Sequence, residues 1–206
     1  MPERLAMFPL STVLFPHAEL PLHVFEPRYR VMTERCLDGD GEFGVVLIQR
    51  GSEVGGGDQR HVVGTVAAIE EASALPDGRW VLLTRGTTRF RVTEWLPEDP
   101  HPVALIEPVA EPTEVADDDV LGQALASVRR ARALLSELGQ APALGDDPGL
   151  GGRAETRAWQ LCSLAPLNVF DRQRLLEIDG ATARLRALIE LTDALAEDLS
   201  ALLAGG

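Results

Sequence analysis

The sequence predicts an α+β chain, with a small β barrel carrying one inserted helix over residues 1–112 and a four-helix bundle over residues 113–206. Three observations predict it. The first half runs as short apolar stretches rich in β-branched and aromatic residues, each cut off by Pro or Gly. The second half places apolar residues at steps of three and four, the period of a helix with one buried face. Seven strand-like runs crowd into the first half, a density typical of small barrels, which close their sheets and so remove exposed edges.

In order, the strand candidates are Leu5–Phe8, Leu20–Val24, Phe43–Gln49, Val62–Ile69, Trp80–Thr84, Thr88–Trp95 and Val103–Ile106. In Thr88–Thr93 the alternation puts Phe90 and Val92 on one face and Arg89, Arg91 and Thr93 on a wet one. Leu75-Pro76-Asp77-Gly78-Arg79 is turn chemistry, because Pro fixes φ and Gly accepts a positive one. The inserted helix starts with Glu26 at or near the cap and Pro27 in the first turn, carries Tyr29, Met32 and Cys36 on one stripe, and ends near Leu37. After a Pro- and Glu-rich passage, Glu107–Thr113, the acids Asp117, Asp118 and Asp119 mark a helix start, where the macrodipole favours them, and Gly139 marks its end. Gln140–Gly152 reads as a loop, Arg153–Leu164 as a helix stopped by Pro166, and Asn168 with Asp171 as the cap of a third helix. From Ala181 a narrow seam of Leu185, Leu188, Thr192, Leu195, Leu199 and Leu202 suits antiparallel packing.

Composition excludes several chemistries. All 19 basic residues are arginine. Without lysine there is no Walker A loop, no Schiff base and no Ser-Lys dyad. The net charge of −13 is spread over both halves and opposes nucleic-acid binding, which depends on neutralising phosphates. No run reaches the length of a membrane span, and Glu3, Pro9 and Pro16 break up the opening as a secretory signal, so a cytoplasmic location is expected. Cys36 and Cys162 lie far apart and read as reduced core thiols.

Motif tests return little. Gly39-Asp40-Gly41-Glu42-Phe43-Gly44 spells a dinucleotide fingerprint, but here a helix precedes and a strand follows, the reverse of what pyrophosphate binding needs. The acids of that turn lack the twelve-residue calcium loop, and His17, His23, His61 and His101 have no i, i+3 or i, i+4 partner, so neither a metal nor a cofactor is expected. No serine sits in a nucleophile elbow.

The remaining passage, Phe8 to Tyr29, is crowded with Pro9, Pro16, Pro21 and Pro27. Phe8-Pro9-Leu10, Leu14-Phe15-Pro16, Leu20-Pro21-Leu22-His23-Val24-Phe25-Glu26-Pro27-Arg28-Tyr29 and Phe43-Gly44-Val45-Val46 resemble the N-terminal substrate-binding domain of the Lon protease family. Val63-Gly64-Thr65-Val66-Ala67, the Pro76–Arg79 turn and Arg89-Phe90 follow in the family's order, as do Leu164-Ala165-Pro166-Leu167 and Asp171–Glu177. The resemblance implies a PUA-like pseudo-barrel joined to a helical bundle, and a module that recognises protein substrates without the family's ATPase and protease parts. It therefore implies a non-catalytic protein that binds an unfolded or partner polypeptide, with a separate protease as a conceivable associate. Candidate contacts are Phe25, Arg28, Tyr29, Arg89, Arg91 and Trp95, through an open strand edge or a groove at the junction of barrel and bundle. Each also has a plain structural reading, such as Tyr29 as a core plug. Two other readings stay open: RNA binding, for which Arg85, Arg89 and Arg91 are the basic cluster, and a ligand or catalytic pocket inside the barrel.

Overall fold

The computed structural model describes residues 2–50, 59–112 and 117–205. The chain is α+β and divides into two units, Met1–Ala110 and Glu111–Gly206. Residue 113, where the bundle is expected to begin and the Pro- and Glu-rich passage to end, lies outside the described residues.

The first unit holds β1 (Glu3–Leu10), β2 (Glu19–Val24), helix α1 (Pro27–Leu37), β3 (Glu42–Arg50), β4 (Gln59–Ala74), β5 (Trp80–Leu96) and β6 (Val103–Pro108). The sheet is mixed: β1 pairs with β3 in parallel, and the other pairings are antiparallel. Strand order is β2-β5-β4-β3-β1-β6, and β5 also pairs with β6, so five strands form a closed circuit with β2 added outside it. Among the described residues six strands stand where seven are expected, because Trp80–Thr84 and Thr88–Trp95 are two arms of one strand, β5. Its first arm pairs with β2 and its second with β6. At the bend, a Cβ on Gly86 would collide with the carbonyl oxygen of Phe15, so the crossing segment can approach only a glycine.

Successive residues of one strand feed two cores. Met7, Val46, Val66 and Phe90 pack together on one side, while Phe8, Val45 and Ala67 join Tyr29, Met32 and Cys36 of α1 on the other. Both faces are covered, which is why these strands read as continuous apolar runs. Arg89 is the exception to the expected wet face, at 2% exposed. From Ala67 to Thr65 of β4 the partner strand runs from Gly86 to Arg89, one residue more, and this bulge breaks the two-residue period.

The second unit holds α2 (Asp118–Glu137), α3 (Ala154–Leu164), α4 (Val169–Glu177) and α5 (Ala181–Gly205). Asp117 caps α2 by accepting from the Asp119 amide, and Asn168 caps α4 by accepting from Phe170 and Asp171. Gly139 follows α2 with φ of 69°, the left-handed conformation in which a glycine costs least. Helices α2 and α5 pack along one another, with α3 against both and α4 on α5. The α5 seam is buried at Leu185, Leu188, Thr192 and Leu199 and ends there, since Leu202 is 65% exposed. Buried Arg184 lies 3.3 Å from the Trp159 ring centroid and donates to the Glu111 carboxylate and the Ile178 carbonyl oxygen, so this cation enters the core with its charge met.

Candidate functional site

The passage that joins β2 to α1 builds a cavity. Glu26 is extended, and its carbonyl oxygen accepts from the Tyr29 and Arg30 amides at 3.1 and 3.0 Å, while Pro27 fits the first turn. The Glu26 side chain makes no cap hydrogen bond and instead takes the Arg28 Nε at 3.1 Å. This abrupt start throws Phe25 outward, 56% exposed, and turns Tyr29 inward, where its ring stacks on Phe8 with centroids 4.1 Å apart. Between them lies a cavity of about 200 Å³ walled by Phe8, Leu10, Pro21, Leu22, Phe25 and Tyr29, with His23 and Glu26 also lining it.

Arg28 is held on three sides. Its guanidinium sits 4.6 Å from the Tyr29 ring centroid, pairs with Glu26, and approaches Glu98 at 3.7 Å. Glu98 also takes Arg60 at 2.8 Å, and Arg60 in turn stacks 4.6 Å from the Trp95 ring centroid. A run of contacts, Glu26 to Arg28 to Glu98 to Arg60 to Trp95, therefore ties the start of α1 to the end of β5. Of the six sequence candidates, this geometry links Phe25, Arg28, Tyr29 and Trp95, with Tyr29 buried beneath. It does not bring in the other two. Arg89 is buried, and Arg91 is exposed on β5 opposite Glu107 in register, with no ion pair among the described residues. Arg85 is already engaged by Glu19 and Glu70. Arg60 and Glu98 escape a reading of the sequence because the contact joins residues 38 positions apart, with no periodic signal.

A second cavity, of about 290 Å³, lies among Glu3, Arg4, Arg35, Cys36, Asp40, Glu42 and His101. His101 is 4% exposed, with Nδ1 3.1 Å from the Pro102 carbonyl oxygen and Nε2 3.4 Å from an Arg35 nitrogen. Nδ1–H donating to Pro102 leaves Nε2 to accept from Arg35, a neutral imidazole. Burial first, then Arg35 and Arg4, holds its pKa below the usual value. Burial pushes the Cys36 thiol up to about 11 and the Cys162 thiol up to about 12, so neither is an activated nucleophile. Among the described residues no group of three or more His, Cys, Asp or Glu could hold a metal ion, and no helix is long and apolar enough to cross a membrane.

The family model described as the ATP-dependent protease La (LON) substrate-binding domain matches residues 4–194. The chain belongs to the Lon substrate-binding domain family. Among curated relatives, the Lon protease 2 of Herpetosiphon aurantiacus is 31% identical over 188 residues, which is 87% of this chain and 22% of that protein. The Lon protease of Trichlorobacter lovleyi is 29% identical over 205 residues, 93% of this chain and 24% of that protein. The chain thus spans less than a quarter of the length of these Lon proteases. The crystal structure of a Lon N-terminal domain protein from Xanthomonas campestris superposes with a TM-score of 0.68 at 28% identity, covering 91% of this chain and 98% of that one. The N-terminal domain of a Mycobacterium avium complex Lon protease, at 17% identity and a TM-score of 0.62, shares the fold over 93% of this chain and 98% of that one.

Proposed function

We propose that this Lon-family chain is a non-catalytic polypeptide-recognition protein whose contact site is the cavity between Phe25 and Tyr29. The observation that carries the reading is an aromatic side chain 56% exposed at the mouth of an apolar cavity of about 200 Å³. That volume suits one large apolar side chain of an unfolded segment and falls short of a usual small-molecule site. Burying such a side chain contributes about 2 kcal/mol, or about 30-fold in affinity. Arg28, stacked on Tyr29, and Trp95, reached from it through Glu98 and Arg60, are further contacts in this reading, and Arg91 is a more distant one. We read the strand circuit as a PUA-like pseudo-barrel (residues 1–112), the helices as a four-helix bundle (residues 113–206), the location as cytoplasmic, and a separate protease as the recipient of the bound polypeptide.

Neither alternative draws equal support. The interior expected to hold a ligand is filled by Met7, Val46, Val66 and Phe90. Of the three arginines offered to RNA, Arg85 is paired, Arg89 is buried and Arg91 alone is open. Fluorescence anisotropy of a labelled, permanently unfolded polypeptide tests the reading, beside its folded form and an RNA of equal length. Saturable binding of the unfolded chain, weakened about 10-fold or more in Phe25→Ser, is expected. Binding of RNA alone, or of neither polypeptide up to high micromolar protein, overturns it.

A further inference from the structure

Strand β2 borders this cavity and, among the described residues, is the one strand outside the closed circuit, with a single neighbour, β5. Its backbone phase can be read from two contacts. The Ala18 carbonyl oxygen accepts from the Gly86 amide at 2.9 Å, and the Leu20 carbonyl oxygen accepts from the Thr84 hydroxyl at 2.8 Å, so the even-numbered residues face β5. Pro21, between them, has no N–H to give, which suits a position facing away from the ladder. Along a strand, main-chain groups alternate sides, so Glu19, Pro21 and His23 turn theirs to the open edge. Residues 19, 21 and 23 are also solvent-exposed.

From this edge we infer that β2 takes an extended polypeptide segment as an added strand, with one large apolar side chain of that segment seated in the neighbouring cavity. The inference rests on the polypeptide-recognition reading above and specifies how the segment is held. The edge offers three acceptors, the carbonyl oxygens of Glu19, Pro21 and His23, and two donors, the amides of Glu19 and His23. The donors stand about 13 Å apart, four residues along a strand. Main-chain bonds of this kind bind without regard to sequence, and the cavity supplies the preference for an apolar side chain. Pro21 deletes the middle donor, so a long uninterrupted ladder, as between aggregating copies, cannot form there. The occupant is therefore a short extended segment of an unfolded chain.

The test uses the whole protein and a labelled peptide of about ten residues, alternating Leu and Ser around a central Phe. Two analogues carry N-methyl groups on alternate residues, in opposite phases. One phase removes the N–H groups that would reach the three β2 carbonyl oxygens and is expected to bind about tenfold or more weakly; the other is expected to bind like the parent. His23→Pro deletes the second outward donor, and His23→Ala deletes the same side chain but keeps the N–H. The Pro variant is expected to bind about tenfold more weakly than the Ala variant while both melt within a few degrees of one another. Equal binding by both N-methyl phases overturns strand addition and makes Pro21 only a blunted edge, yet leaves polypeptide recognition standing. So does failure of the parent peptide while the unfolded polypeptide binds. Failure of the unfolded polypeptide as well removes the underlying reading.

Discussion

Phe25 and Tyr29 stand four residues apart, share one cavity, and should respond to mutation in opposite ways. Tyr29 is 2% exposed and stacked on Phe8, so Tyr29→Ala leaves a void in the core under α1 and should cost about 3 kcal/mol in urea unfolding. Phe25 is 56% exposed, so Phe25→Ser should change stability by no more than about 0.5 kcal/mol while weakening polypeptide binding. If the two variants lose stability equally, the cavity is a core defect and not a site. His101 gives a pH signature. Burial, Arg35 and Arg4 lower its pKa in the fold below its ordinary value of 6.5, so the unfolded chain binds the extra proton first. Stability should then be full above the unfolded value and fall as pH drops through the lowered folded one. The groups facing the imidazole include Arg4, Arg35 and Asp99. In His101→Gln that part of the acid loss should disappear from melting curves taken between about pH 7 and pH 5; an unchanged slope would assign the loss to other groups.

Elements were legible wherever local chemistry fixes them. Asn168 accepts from Phe170 and Asp171 at 3.0 Å each, the arrangement that an Asn three residues before an Asp announces, and Asn168→Ala should cost about 1 kcal/mol in thermal unfolding. A loss below a few tenths would mean that α4 is held by packing alone. Pro27 likewise marks the start of α1. The strands were legible as apolar runs but not as a count, because nothing local to Arg85–Thr87 says that β5 bends there and does not end. The bulge at the same place turned Arg89 inward against the alternation that Phe90, Arg91 and Val92 obey. Gly86 is the residue that permits this bend. Gly86→Ala should drive a Cβ into the Phe15 carbonyl oxygen and cost about 1–3 kcal/mol, read by chemical denaturation. An unaffected variant would show that the crossing segment moves aside without cost.

At the scale of the whole molecule, residue spacing alone pointed to no site, since the Phe8–Tyr29 passage is chemically plain and its prolines also serve the fold. The cavity walls meet through a contact distant in sequence, Phe8 of β1 on Tyr29 of α1, and the neighbouring approach of Arg28 to Glu98 is equally distant; no periodic pattern encodes either. The chain carries a charge of −13, yet Arg28, over the Tyr29 ring of the cavity wall, and Arg60 beyond it are already matched by Glu26 and Glu98. Binding of an uncharged unfolded segment should therefore change by less than about threefold between low salt and physiological salt, whereas a phosphate-driven ligand would lose orders of magnitude. The most direct test of the central claim is hydrogen–deuterium exchange of the intact protein with and without a saturating unfolded polypeptide. Protection gathered over residues 19–29, with the amides of α2 to α5 unchanged, is the result predicted. Protection centred on Arg91, spread over the helical unit, or absent altogether would contradict a recognition site at the Phe25 cavity.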